Sequence, residues 1–341
     1  MQNVKQKIRV GIMGFGKIGR QLYHLAAACD DIEVVAICDI GDPEILLYLL
    51  NSEAKGSPDY ELHNNYLING SFKTRMLQAS SPDLVPWDVF GVDFVIEATG
   101  RYYAREHMEQ HLKSGAGRVL LAALPDDHID RLIIPGVNCA QASVTDKMIS
   151  AGSATTNALA LLLKIIDEKL AIKYASMTSV HAYTSDQSLQ DYAGKYFRRS
   201  RSAPENIIPN STQACQWVES ILPKFTDCLS GYALNVPVQK GSMLDLSLVF
   251  ENDDVTADDV NNTVVSALPN YQGLLDIAED PIVSCDVIGN SCSVLYDVPG
   301  TIKAGKRMVK AIAWYESLGQ AQRILDVARM YASMDQQEVA A

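Results

Sequence analysis

At 341 residues the chain has room for about two domains, and 48% hydrophobic with 21% charged residues is the composition of a globular protein with a sizeable core. A net charge of -12 repels phosphate backbones, and only Arg198, Arg199 and Arg201 cluster as a basic patch, so nucleic acid is excluded as an expected partner. Seven cysteines without a CxxC pair read as reduced thiols, and with no apolar leader and no apolar run of membrane-spanning length the expectation is a cytoplasmic protein with no membrane partner.

In chain order, Ile8 to Met13 predicts a strand, Ile18 to Cys29 an amphipathic helix and Ile32 to Ile37 a second strand. Val92 to Ala98 and Val119 to Ala123 continue the series. Short apolar runs crossed by amphipathic stretches predict a doubly wound parallel sheet of Rossmann type. Between the first strand and helix, Gly14, Phe15, Gly16, Lys17, Ile18 and Gly19 spell GxGxxG. The glycines allow a tight turn and close backbone approach, so that a pyrophosphate sits on the helix N-terminus. Alone this is a weak signal, and a bare glycine-rich turn would look the same. Asp39 strengthens it, because it ends the next strand about 20 residues on, where a carboxylate bonds ribose hydroxyls and repels a 2′-phosphate. NAD is therefore expected over NADP. Without the glycines, Asp39 would read as a solvated strand-end acid.

His107 and His111 are four apart on a predicted helix, as in a zinc pair, but no third ligand is suggested. They read as part of a solvated amphipathic helix, and no metal is expected. From Asn157 onward the pattern changes: a helix at Ala158 to Leu170 precedes long strand-like runs at Tyr174 to Tyr183, Leu229 to Val238, Leu244 to Phe250, Ile282 to Ile288 and Met308 to Tyr315. This predicts an α+β second domain with a mostly antiparallel sheet. A closing helix, Gln320 to Met334, places Ile324, Leu325, Val327, Ala328 and Tyr331 on one side. The expected division is residues 1-153 with 319-341 as the nucleotide-binding domain and 154-318 as the second domain, packed tightly, since no linker composition separates them.

Three strings carry a family likeness: Ser153 to Asn157 (SATTN), Met177 to Thr184 (MTSVHAYT) and Arg198 to Ser211 (RRSRSAPENIIPNS). With GFGKIGR at Gly14 to Arg20 and AWYES at Ala313 to Ser317, the chain resembles phosphorylating glyceraldehyde-3-phosphate dehydrogenase over nearly its whole length, and the erythrose-4-phosphate dehydrogenases closely related to it. The resemblance implies an NAD-dependent conversion of an aldehyde plus inorganic phosphate to an acyl phosphate, in a homotetramer. It carries Lys17 and Ile18 to the pyrophosphate, Glu97, Ala98, Thr99 and Gly100 (EATG) to the loop beneath the cofactor, and His181 to acid-base catalysis. A lone strand-end histidine would otherwise read as structural. The inorganic phosphate site matches Ser153, Thr155, Thr212 and Arg199, with Gln213 for a family glycine. The substrate phosphate site matches Thr184 and Asp186.

The departures surround one pocket. Ala154 stands where the family has its nucleophilic cysteine, and a methyl group cannot attack an aldehyde. Asn235 stands where the family has a phosphate-binding arginine, which costs charge-assisted hydrogen bonds worth about 1.5 to 3 kcal/mol each. Ser317 falls where an asparagine holds the nicotinamide carboxamide, while Met13 and Ala122 replace an asparagine and a serine near the cofactor. Cys139, Cys215, Cys228, Cys285 and Cys292 are expected on core, surface or interface segments rather than beside His181. Three readings stay open from the sequence: a family enzyme whose cysteine was replaced by alanine, a natural non-catalytic paralogue that keeps NAD binding for a regulatory or partner-binding role, and a reductase using His181 as proton donor.

Overall fold

The structure, a computed structural model, describes residues 7–53, 60–70, 72–184 and 187–340. They form two compact units, the first comprising residues up to Ile133, Cys139–Gly152 and Ala321 onward, the second Ile134–Asn138 and Ser153–Gln320.

In the first unit the elements run β1 (Ile8–Met13), α1 (Lys17–Ala27), β2 (Ile32–Asp39), α2 (Pro43–Glu53), β3 (Glu61–His63), β4 (Tyr66–Asn69), β5 (Phe72–Gln78), α3 (Trp87–Phe90), β6 (Phe94–Glu97), α4 (Arg105–Lys113), β7 (Arg118–Leu121), β8 (Arg131–Leu132) and β9 (Met148–Ser150). The strands form one sheet in the order β3-β4-β5-β2-β1-β6-β7-β9-β8. Its centre is parallel: β1 pairs with β2 on one side and β6 on the other. The strand order therefore reverses at β1, which opens a crevice at the carboxyl ends of these strands. Both faces of the sheet are covered, as a parallel sheet requires. Val10, Ile12, Val34 and Ile37 pack with Leu22 of α1 and with Ile324, Val327 and Tyr331 near the chain's end. Val35, Cys38 and Val95 pack with Trp87 and Met108 on the opposite face.

The second unit contains α5 (Ala154–Leu170), β10 (Ile172–Ala182), β11 (Ile208–Asn210), α6 (Ala214–Ile221), β12 (Leu229–Val236), β13 (Ser242–Phe250), α7 (Ala257–Ala267), β14 (Leu275–Ala278), β15 (Val294–Ala304) and β16 (Met308–Tyr315). Its sheet runs β11-β12-β10-β13-β16-β15-β14. The central β10-β13, β13-β16 and β15-β16 pairs are antiparallel, while β10-β12 and β14-β15 are parallel, so the sheet is mostly antiparallel. Strict alternation of burial along β13 and β16 shows one face turned to the core. The last helix, α8 (Ser317–Ala340), has its first residues in the second unit and the remainder in the first. All five apolar residues expected to share one side are buried.

One expected strand is absent. Ile282 to Ile288 folds as turns, with Val283 N donating to Asp286 Oδ2 and Asp286 N donating to the Val283 carbonyl. The Asp286 side chain caps the backbone here, and Val283 and Ile288 remain exposed, so apolar content alone misled the reading. The strands at this end are β14 and β15 instead.

Candidate functional site

In the first unit, the crevice at the sheet's switch point is a cleft of about 200 Å³ lined by Gly14, Gly16, Asp39, Ala98, Thr99 and Arg101 among others. Gly14 has φ +93, and a Cβ there would come within 2.5 Å of the Thr99 amide nitrogen, so the turn accepts no side chain. Gly19 is equally constrained, since its Cβ would lie 2.1 Å from the Gly14 carbonyl, which lets α1 press against β1. Gly16 caps α1 without a side-chain bond to its first-turn amides, which suits that helix end to an anion. Asp39 ends β2 and ties the turn down: Oδ2 accepts from Phe15 N at 2.6 Å and Oδ1 from Gly41 N at 2.8 Å. The Phe15 ring is fully buried and meets Tyr23 edge-on at 5.7 Å, so Phe15 offers this site backbone only. Lys17 is exposed and Ile18 half-buried at the helix start, and Thr99 and Gly100 follow β6. A glycine cradle, a helix N-terminus without a side-chain cap and a strand-end carboxylate fit a dinucleotide.

In the second unit, Ser153 caps α5. Its Oγ accepts from Thr156 N at 3.1 Å, and its carbonyl accepts from Asn157 Nδ2 at 2.9 Å. Ala154 is the first helical residue and is half-buried. Thr155 turns inward, 8% exposed, and donates its hydroxyl to Tyr315 Oη at 3.0 Å. The same phenol lies 2.6 Å from Ser179 Oγ. Burial pushes the Tyr315 hydroxyl above its usual pKa, against the lowering effect of these bonds. His181 stands near the end of β10 in a T-shaped contact with Tyr315, 6.1 Å between centroids, and its Nδ1 donates to the Ala182 carbonyl at 2.5 Å. Asn235 is the register partner of His181 across the parallel β10-β12 pair, so both side chains leave the same face. Asn235 Oδ1 accepts from Asn210 Nδ2, one strand further out.

The other expected site residues lie on separate segments. Thr184 is exposed after β10, Arg199 lies in a short turn of helix at Arg198–Ser200, and Thr212 Oγ1 accepts from Ala214 N at 3.2 Å at the start of α6. Gln213 has φ -86, ordinary helical backbone that needs no glycine. Ser317 opens α8 beside Glu316, 3.5 Å between their side-chain oxygens. Asp186 lies outside the described residues.

Two domain matches decide the family. A model of the glyceraldehyde 3-phosphate dehydrogenase NAD binding domain matches residues 8–105, and one of the C-terminal domain of the same enzyme matches residues 153–317. The chain belongs to the glyceraldehyde-3-phosphate dehydrogenase family. It is 38% identical over 336 residues to the glyceraldehyde-3-phosphate dehydrogenase of Geobacillus stearothermophilus, covering 96% of this chain and 98% of that one. It is 37% identical over 334 residues to that of Priestia megaterium, with the same coverage. The enzyme of Haloarcula vallismortis is 35% identical over 337 residues, covering 95% and 98%. This member of the family is thus built on an NAD-binding dehydrogenase scaffold, and NAD is its cofactor.

Of the other candidates, His111 is corrected. It lies on a helix, α4, but is fully buried rather than solvated, because Trp87 and Glu97 supply polar partners inside the first unit. Among the described residues no cluster of His, Cys, Asp or Glu could hold a metal ion, and no helix is long and apolar enough to cross a membrane. None of the seven cysteines is in a disulfide. Burial raises the Cys38 thiol to about 12 and Cys215 to about 11, which leaves both unreactive near neutrality. Sequence reasoning gave no role to Tyr315, Asn210 or Ser179, although all three lie inside the strings that carry the family likeness and the alternation along Met308 to Tyr315 places Tyr315 inward.

Proposed function

We propose that this chain is an NAD-binding member of the family that does not form the acyl-thioester of phosphorylating aldehyde oxidation. The observation that carries the reading is Ala154 at the first position of α5, where resemblance puts the nucleophile. A methyl side chain has no lone pair to attack a carbonyl. Cofactor contacts are assigned to the amides of the Gly14 to Gly19 turn, to Lys17 and Ile18, to Asp39, to the Thr99-Gly100 loop and to Ser317. His181 keeps the acid-base position, and the anion sites are assigned to Ser153, Thr155, Thr184, Asp186, Arg199, Thr212, Gln213 and Asn235. The test is incubation with NAD, inorganic phosphate and a panel of aldehydes, followed by absorbance of NADH. No sustained NADH is expected. Sustained, phosphate-dependent NADH formation that is lost when the cysteines are alkylated refutes the reading.

A second reading, a diverged substrate, is favoured by the Asn235-Asn210 pair beside His181. Two neutral amides suit the hydroxyl of an uncharged aldehyde better than a phosphate, which needs charge-assisted donors. A natural paralogue with a regulatory or partner-binding role accounts for Ala154, Asn235 and Ser317 through one cause, loss of the chemistry. Assembly as a homotetramer in the cytoplasm is part of the same proposal and rests on the family resemblance. Sedimentation equilibrium at the mass of one chain would refute the assembly.

A further inference from the structure

The first unit buries a chain of hydrogen bonds that ends at the cofactor cleft. Trp87 and His111 are 0% exposed and Glu97 2%. Trp87 Nε1 donates to His111 Nδ1 at 3.0 Å, and His111 Nε2 lies 3.1 Å from Glu97 Oε2. Glu97 Oε1 accepts from the Thr99 amide at 2.8 Å and also from the Thr99 hydroxyl. An indole N-H only donates. His111 Nδ1 is therefore an acceptor, the ring hydrogen sits on Nε2, and Nε2 donates to Glu97. At the other end the Thr99 oxygen accepts from Arg101 N at 3.1 Å, so its own hydrogen goes to Glu97. Every donor and acceptor then has one consistent role, and Glu97 accepts at both oxygens, as a carboxylate does.

The end of this chain bears on NAD. The Thr99 backbone lies over Gly14 so closely that a Cβ on Gly14 would meet it at 2.5 Å, and Ala98, Thr99 and Arg101 line the cleft with Asp39. Glu97, His111 and Trp87 do not line it. They act through the loop.

We propose that Trp87, His111 and Glu97 are positioning residues for NAD, a polarised relay in which the Trp87 N-H sets the His111 tautomer, His111 orients the Glu97 carboxylate, and Glu97 holds the Thr99 loop against the glycine turn. A buried network with a structural role alone would carry no such dependence of affinity on the direction of its hydrogens. Glu97→Gln tests the difference. A glutamine keeps one acceptor oxygen, so its NH₂ faces either His111 Nε2-H or the Thr99 amide, donor against donor. Trp87→Phe removes the indole donor and leaves His111 at liberty to carry its hydrogen on Nδ1 and accept from the introduced amide at Nε2.

Calorimetry with NAD is the readout, with the urea midpoint of each variant as the fold control. We expect Glu97→Gln to weaken NAD by about tenfold or more, as loss of a charged hydrogen bond does. Trp87→Phe alone should also weaken NAD, by less than Glu97→Gln, because the His111 tautomer is no longer fixed, and the double variant should bind NAD more tightly than Glu97→Gln. Unchanged affinity in Glu97→Gln, or a double variant no tighter than Glu97→Gln, overturns the proposal. In the unmodified protein, ¹⁵N chemical shifts of His111 provide a check that needs no variant to fold. A hydrogen on Nε2 with a bare Nδ1 is expected. A hydrogen on Nδ1 overturns the relay.

Discussion

Thr155 and Tyr315 are 160 residues apart in the chain and share a hydrogen bond of 3.0 Å, the centre of a buried hub that also takes Ser179. The hub joins the start of α5 to β10 and β16 within one unit. It fixes the helix end that carries Ala154.

Tyr315→Phe should therefore destabilise the chain. The variant leaves the Thr155 and Ser179 hydroxyls short of a partner in a dry site, which costs about 1 to 3 kcal/mol. Differential scanning calorimetry should show a lowered midpoint. A midpoint equal to that of the unmodified chain shows that the hub contributes nothing net.

Asp39 makes two backbone bonds and presents a carboxylate to the cleft, so Asp39→Ala removes both the turn's anchor and the ribose acceptor. NAD should bind at least about tenfold more weakly. Because the carboxylate also repels a 2′-phosphate, the preference for NAD over NADP should narrow. Calorimetry with both nucleotides measures the two effects separately, and an unchanged ratio removes Asp39 from cofactor discrimination.

Much of this was legible in the sequence, for a physical reason. A parallel strand buried on both faces is written as an apolar run, and a half-covered helix such as α8 as a 3.6-residue stripe, so Ile8 to Met13 and Ile324 to Tyr331 announced themselves locally. What was not legible depends on partners brought by the fold. His111 looked like a solvated helix residue because Trp87 and Glu97 reach it from other elements. Asn210 acquires meaning only when β11 lies beside β12 and puts it on Asn235. Ile282 to Ile288 shows the opposite failure, in which local apolar content outvoted the turn-forming Asp286.

Alkaline stability follows from the buried phenols and thiols. Burial, the largest cause in each case, raises Tyr23 and Tyr296 from 10.0 to about 12 and Cys38 from 9.0 to about 12, and it raises Tyr331 and Tyr315 as well. Above its ordinary value each group loses its proton in the unfolded chain but keeps it in the folded one. Folding stability from these groups is thus complete below pH 9, begins to fall as Cys38 and Cys215 titrate in the unfolded chain, and is lost through pH 12. Urea midpoints measured from about pH 8 to 12 should drop steeply above about pH 10. Cys38→Ala should flatten the onset between about pH 9 and 10 while leaving the steeper tyrosine region in place, and an onset unmoved by this substitution refutes the assignment to Cys38.

Ala154→Cys tests the reading of the site from the opposite direction. A thiol at the first position of α5 would sit at the positive end of a 17-residue helix, where a thiolate is stabilised and its pKa falls below the ordinary value of about 8.5. Ser153 already occupies the Thr156 amide, which leaves the remaining first-turn amides to act on the new sulfur. Alkylation by iodoacetamide followed by peptide mass spectrometry should label the introduced thiol faster at neutral pH than any native cysteine, the buried Cys38 and Cys215 slowest of all. NADH formation from a panel of aldehydes should appear with this one change if the remaining machinery is intact. A variant whose new thiol is reactive but which makes no NADH instead locates the loss at Asn235 and Ser317, and a thiol no faster than the exposed Cys139 and Cys285 would remove the helix terminus from the argument.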